Sequence, residues 1–289
     1  PIHIHPSQNL PPMQDHHPMS IRRVDHGRGH SYVTDTGEKV PGVTTIIGDG
    51  MPKPALVIWA ANATAEYAID HWAELDELPP SQRLKKLQGA RYAVKDAAAN
   101  RGTVVHRLAE KLIRGDRVSI PEGLEGHVQS YVQFLDDYDV QPVLVEKTIF
   151  SAEHFYCGTF DLICDLLQSD DPDNPDAESG RHRWLLDIKT NKSGIFGETG
   201  LQLAAYRYAD MWIDEETDEE HPIPEVTHTG AVHVRADGYD LVPLTAGEQQ
   251  HRQFLYCQQN AEFVRTSRYL VGEPVTSAYT STYRLVRDE

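Results

Sequence analysis

Between residues 30 and 45 apolar and polar positions alternate around the turn signals Asp35-Thr36-Gly37 and Pro41-Gly42, which predicts a short hairpin. Behind Pro54 the spacing becomes helical over 55–75, until Pro79-Pro80 breaks it. A basic stretch, 81–101, leads through Ala97-Ala98-Ala99 to Gly102. Helices are then expected over 103–113, stopped by Gly115, and over about 123–138. The period changes next. Runs at 143–150, 158–167 and 184–189 are rich in β-branched residues and read as consecutive strands, with a loop over 168–182. A helix over 198–212, strands at 229–234 and 239–243, and a helix over 245–265 complete the pattern, with no internal repeat. Helices, then a short sheet, then helices predict an α/β (α+β) fold in one domain, residues 21–289, behind a disordered Pro/His-rich leader, 1–20.

Composition changes little in that picture. The 289 residues are 39% hydrophobic and 25% charged, which excludes collagenous, fully disordered and disulfide-framework chains. No apolar run is long enough for a membrane span, so no membrane partner is expected. Cys157, Cys164 and Cys257 are too scattered for a zinc or iron–sulfur cage, and their scarcity suits a reducing, cytoplasmic setting. A net charge of -17 argues at first against nucleic acid. A quarter of the 44 acids, however, fall in two stretches without apolar periodicity, 170–178 and 214–220, which read as solvated loops. Within 81–101, Arg83, Lys85, Lys86, Arg91, Lys95 and Arg101 face only Asp96. That stretch is either an exposed helix face or a nucleic-acid-binding surface.

The candidate chemistry lies where acids interrupt apolar strands. Asp161 does so in Gly158-Thr159-Phe160-Asp161-Leu162-Ile163, and Asp187 in Leu185-Leu186-Asp187-Ile188-Lys189-Thr190. Strand parity puts Asp187 and Lys189 on one face and Ile188 on the other, core-facing one. In isolation this is also the pattern of an ordinary cross-strand ion pair. His106 follows Gly102 by one helical turn, with Glu110 four residues on. Gln202 and Tyr206, also four apart, share a helix face. Glu146 is a similar acid on the first strand and receives no role. The absence of Gly-x-x-x-x-Gly-Lys-Ser/Thr leaves no place for an ATP motor or a bound nucleotide.

In order and context the segments GTVVH (102–106), CGTFDLI (157–163), LLDIKT (185–190) and LQLAAY (201–206) resemble the RecB-like branch of the PD-(D/E)XK nuclease superfamily. More loosely, Val43-Thr44-Thr45-Ile46-Ile47 and the helix around Trp59 are similar to the leading segment of phage-encoded and actinobacterial proteins of this group. The resemblance implies a restriction-endonuclease-like core over 101–265, a short mixed β-sheet flanked by helices, with a hairpin and helical extension over 30–100. It implies that His106, Asp161, Asp187 and the backbone carbonyl of Ile188 are metal ligands. Lys189 would be the catalytic lysine, and Gln202 and Tyr206 would brace the site and touch nucleic acid. The iron–sulfur branch is excluded, because no Cys group flanks the core.

The implied activity is metal-dependent hydrolysis of DNA, single- or double-stranded, by an exonuclease of recombination, repair or phage DNA processing. A recombination or helicase protein could be its partner. Two carboxylates and a carbonyl suit Mg²⁺, and an imidazole tilts the preference toward Mn²⁺. Such an ion neutralises phosphate charge and makes water nucleophilic near neutral pH. The alternative is a catalytically silent nuclease-like module that binds DNA or protein. A glycosidase using Asp161 and Asp187 fits Lys189 and His106 poorly.

Overall fold

The structure, a computed structural model, describes residues 21–26, 29–169, 179–276 and 278, without the side chains of 93–99. The expected leader and the acidic stretch 170–178 lie outside the described residues. Strands β1 (Ile21–His26), β2 (Gly29–Thr34) and β3 (Lys39–Val40) form a small antiparallel sheet. Helices α1 (Val43–Gly50), α2 (Pro54–Asp70), α3 (Trp72–Asp76), α4 (Pro80–Ile113) and α5 (Glu125–Asp137) lead to three long strands, β4 (Gln141–Ser151), β5 (Tyr156–Ser169) and β6 (Ser179–Lys189). After α6 (Glu198–Arg207) come β7 (Met211–Asp214), β8 (Glu219–His221), β9 (His228–Arg235), β10 (Gly238–Pro243) and α7 (Glu248–Thr266).

The main sheet is mixed, in the order β10-β9-β6-β5-β4-β7-β8, and only β6 and β9 pair in parallel. A parallel neighbour needs a crossover, and the α6 segment supplies it. Helices cover both faces, which is why β5 and β6 read as nearly continuous apolar runs. On one face Leu162, Leu186, Ile188 and Val232 pack against Tyr131 and Phe134 of α5. On the other, Ile163 and Leu185 pack against Ile46 of α1, Leu203 of α6 and Phe254 of α7. The small N-terminal sheet docks through Ile21, Tyr32 and Val40 onto Phe150 and Cys157. The mixed α/β architecture is therefore as expected.

Several boundaries differ, each for a tertiary reason. Residues 43–47 do not finish a hairpin but open α1, because Val43, Ile46 and Ile47 form one helical face buried in the core shared with α7. The basic stretch and the 103–113 helix are one 34-residue helix, α4. Gly102 does not end it; a Cβ there would stand 3.3 Å from Thr190 Oγ1, so the missing side chain lets the helix pass the end of β6. The helix expected over 198–212 stops at Arg207, and Met211–Ile213 pair with Thr148–Phe150 instead. Asp210 fixes that change of direction by accepting from Ser151 Oγ and Glu153 N–H, each at 3.1 Å. The acidic stretch 214–220 is not a free loop; its ends pair in the β7–β8 hairpin. The loop expected over 168–182 is shorter, since β5 and β6 pair out to Ser169 and Ser179, held on the way by Arg183 Nε donating to Asp165 Oδ1 at 2.8 Å.

Helices α1 and α7 touch backbone to backbone where a Cβ on Gly50 would overlap the Cys257 carbonyl. Gly50→Ala must separate two buried helices. Its expected cost is about 1–3 kcal/mol, measurable as a lower midpoint in urea with an unchanged slope.

Candidate active site

The site forms where the central strands part. Strands β5 and β6 pair from Ser169↔Ser179 to Leu162↔Leu186 and no further. The next amide that would seek a partner, Ile188 N–H, donates to Asp161 Oδ2 at 2.6 Å. Asp161 thus substitutes for the missing ladder. Parity then points Asp187 and Lys189 away from the α5 side, where Ile188 is buried. Lys189 Nζ lies 2.7 Å from Asp187 Oδ2, an ion pair on a carboxylate only 3% exposed.

Glu146 on β4 falls between the pairs Val145↔Leu162 and Lys147↔Phe160, opposite Asp161. Its φ of +48° is the left-handed conformation, which costs a residue with a side chain about 1–2 kcal/mol. This local break in the strand brings its carboxylate beside Asp161. His106, one turn beyond Gly102 on α4, places Nδ1 3.5 Å from Asp161 Oδ1. One potential ligand atom from each of His106, Glu146 and Asp161 lies within 4.8 Å of the other two. From α6, Gln202 Nε2 donates to Asp187 Oδ1 at 2.7 Å and to the Tyr206 hydroxyl at 3.1 Å, while its Oε1 accepts from Lys189 Nζ at 3.4 Å. Gly158 makes room for the Tyr206 ring, which a Cβ there would overlap.

The electrostatics are those of a crowded pocket of opposed charges. Burial and then the neighbouring Asp161 push the Glu146 carboxyl up, against a partial pull from His106. Burial likewise raises Asp187, against the opposing charge of Lys189. Asp161 goes the other way: burial would raise it, but His106, the Ile188 amide and Lys189 hold it below the usual carboxylate range. For His106 burial disfavours the imidazolium, and Asp161, Asp187 and Glu146 outweigh it, lifting the ring to about 9. Lys189 is raised because its carboxylate neighbours, Asp187 first, overcome burial. Three carboxylates here face Lys189, the His106 ring held toward its protonated form, and Arg23, whose Nη1 is 3.9 Å from Glu146 Oε2. Carboxylate oxygens with one imidazole among them are a donor set of the kind divalent cations take, in exchange for the protons that His106 and Glu146 hold.

His106, Asp161, Asp187, Lys189 and Gln202 line a cavity of 860 Å³; Glu146 and Arg23 lie behind that lining. The small N-terminal sheet forms one wall, fastened by a 2.8 Å hydrogen bond between the Tyr32 hydroxyl and Thr159 Oγ1, two residues before Asp161. The starts of α1 (Val43, Thr44) and the end of α7 (Glu262, Arg265) form others.

Of the residues singled out in sequence, His106, Asp161, Asp187, Lys189, Gln202 and Tyr206 all line this cavity. The closest potential ligand group differs from the expected one: it contains Glu146, while Asp187 is held by Lys189 and Gln202. Ile188 reaches the site through its amide N–H. Glu110 pairs with Arg114 at 3.1 Å. The basic stretch is not brought to the site. At 1.5 Å per residue along α4, Arg83, Lys85, Lys86 and Arg91 lie about 20–35 Å from His106, and only Arg101 is near, at about 8 Å. Arg83 donates to the carbonyl oxygens of Asp76 and Leu78, Lys86 pairs with Glu74, and Arg91 covers the Tyr92 ring. The side chain of Lys95 lies outside the described residues. Sequence reasoning assigned nothing to Arg23, Tyr32 or Thr159, and only the acid inside an apolar run marked Glu146.

No protein-family model matches the chain, and no curated protein is significantly similar to it. Among the described residues no helix is long and apolar enough to cross a membrane.

Proposed function

We propose that the chain is a metal-dependent nuclease of the PD-(D/E)XK type that hydrolyses DNA phosphodiester bonds, an exonuclease acting with the recombination, repair or phage DNA-processing machinery of a cytoplasm. The observation that carries this reading is the meeting of His106, Glu146 and Asp161 with the Asp187–Lys189 pair at one point where the strands part. His106, Glu146 and Asp161 would hold Mg²⁺ or Mn²⁺, with Asp187 beside them. When bound, the ion would supply charge neutralisation at the phosphate and a nucleophilic water near neutral pH. Lys189, an ammonium even when buried, would orient that nucleophile or face the charge that builds on the phosphate oxygens. Gln202 fixes Asp187 and Lys189 relative to one another, and the Tyr206 hydroxyl fixes Gln202. Burial of Asp187 strengthens its interactions with Lys189 and Gln202.

The test is incubation of the intact protein with linear single- and double-stranded DNA and Mg²⁺ or Mn²⁺. Shortening of the DNA that a chelator stops is expected. Folded protein that cuts nothing with either ion overturns the proposal, and chelator-resistant DNA binding without turnover would identify a silent binding module instead.

A further inference from the structure

The cavity does not end at Lys189. Thr44, Lys189 and Gln202 also line a second recess, of 330 Å³, which opens between Lys53 and the loop from β6 to α6. Phe196 stands in that loop with half of its surface exposed (50%). The loop is pinned rather than slack. Asn191 Nδ2 donates to Gly194 O at 2.6 Å, His233 Nε2 donates to Asn191 O at 2.8 Å, and Phe196 O accepts from Thr199 N–H at 3.0 Å. An aromatic ring is thus presented to solvent by an ordered support, one recess away from the Asp187–Lys189 pair.

We infer that the smaller recess seats one nucleobase of an unpaired strand, the base next to the phosphate at Lys189, stacked on Phe196. The inference rests on the nuclease reading and names its substrate class. Every base offers a π-face, so one aromatic platform accepts any sequence. A base inside a duplex has its faces covered and its edge paired, and it must leave the stack to enter a recess. Continuity of the two recesses at Lys189 and Gln202 puts base and phosphate within one nucleotide of each other. The substrate is therefore single-stranded DNA or an unpaired end, and the interior of a duplex is excluded.

The experiment uses the full chain with Phe196→Ala and Phe196→Trp, whose melting should match the parent because the ring is exposed. Binding of a fluorescent single-stranded oligonucleotide and of a blunt hairpin duplex is read by anisotropy with Ca²⁺ in place of Mn²⁺, and cleavage is followed separately with Mn²⁺. The single strand should bind at least about 10-fold tighter than the duplex. Phe196→Ala should remove about 10-fold of that affinity, the scale of one base–aromatic stack, and Phe196→Trp should restore it. Equal affinity for both DNAs, or a Phe196→Ala protein within twofold of the parent, overturns the inference. Binding that depends on Phe196 with no cleavage would reject the nuclease reading and keep the seat. Cleavage with Mn²⁺ that ignores Phe196 would do the reverse.

Discussion

Lys189→Gln is expected to lower DNA cleavage by about 100- to 1,000-fold while leaving Mn²⁺ affinity within a few-fold, whereas Asp161→Asn should lose both. The two residues are close but do different work. Lys189 touches Asp187 and Gln202, not the His106–Glu146–Asp161 group, so its loss withdraws a charge from the reacting phosphate and not a ligand. Glutamine keeps a donor toward Asp187, which limits the cost of leaving that buried carboxylate without its partner. Asp161 supplies an oxygen to the ligand group and also accepts from Ile188 N–H. Asparagine preserves the second role and removes the charge needed for the first. Single-turnover cleavage and calorimetric titration of Mn²⁺ separate the two effects. A Lys189→Gln protein cutting within tenfold of the parent, or an Asp161→Asn protein with unchanged Mn²⁺ affinity, would refute the assignment.

What could be read from the sequence was local chemistry on regular elements. Asp161, Asp187 and Lys189 announce themselves because a charged residue inside an apolar strand is costly without a purpose, and alternation alone fixes their common face. Gln202 and Tyr206 follow from helical spacing. Glu146 did not, because its contribution depends on one left-handed residue in a strand whose composition reads as regular. The same holds for boundaries. Residues 43–47 have the β-branched character of a strand, yet the apolar surface of α7 selects the helix. Trp212 fits the helical period of α6, but an open edge on β4 takes it as a strand. The basic stretch reads in the sequence as one exposed face or one nucleic-acid-binding surface. Helix α4 carries it away from the site, and Arg83 and Lys86 have local partners there. Propensity is a weak prior wherever a neighbour distant in sequence offers burial or pairing.

The buried carboxyl of Glu146 leads to an outcome opposite to that of most substitutions in a buried site. Glu146→Gln should stabilise the metal-free protein, by about 1–2 kcal/mol at about pH 8.5. Its carboxyl is raised in the folded chain by burial and by Asp161, so folding favours the protonated form. A folded pKa above the unfolded one means that the native state holds more protons. The contribution is therefore complete below the unfolded value and is lost as pH rises toward the folded one. The parent suffers this loss and the glutamine variant does not, so the gap between them widens from about pH 5 upward. Glutamine inherits the same backbone strain, which leaves charge as the only term that changes. Mn²⁺ should reverse the order, because binding N but not U stabilises by RT ln(1 + [L]/Kd), about 4 kcal/mol at a thousandfold excess over Kd. That protection should grow with pH in the parent, as His106 and Glu146 give up their protons, and be much weaker in the variant. Urea melts of both proteins at about pH 6 and about pH 8.5, with and without Mn²⁺, read all of this directly. A variant less stable than the parent at the higher pH without metal would mean that Glu146 is not a costly buried charge, and one equally protected by Mn²⁺ would mean that it is not part of the ion's seat.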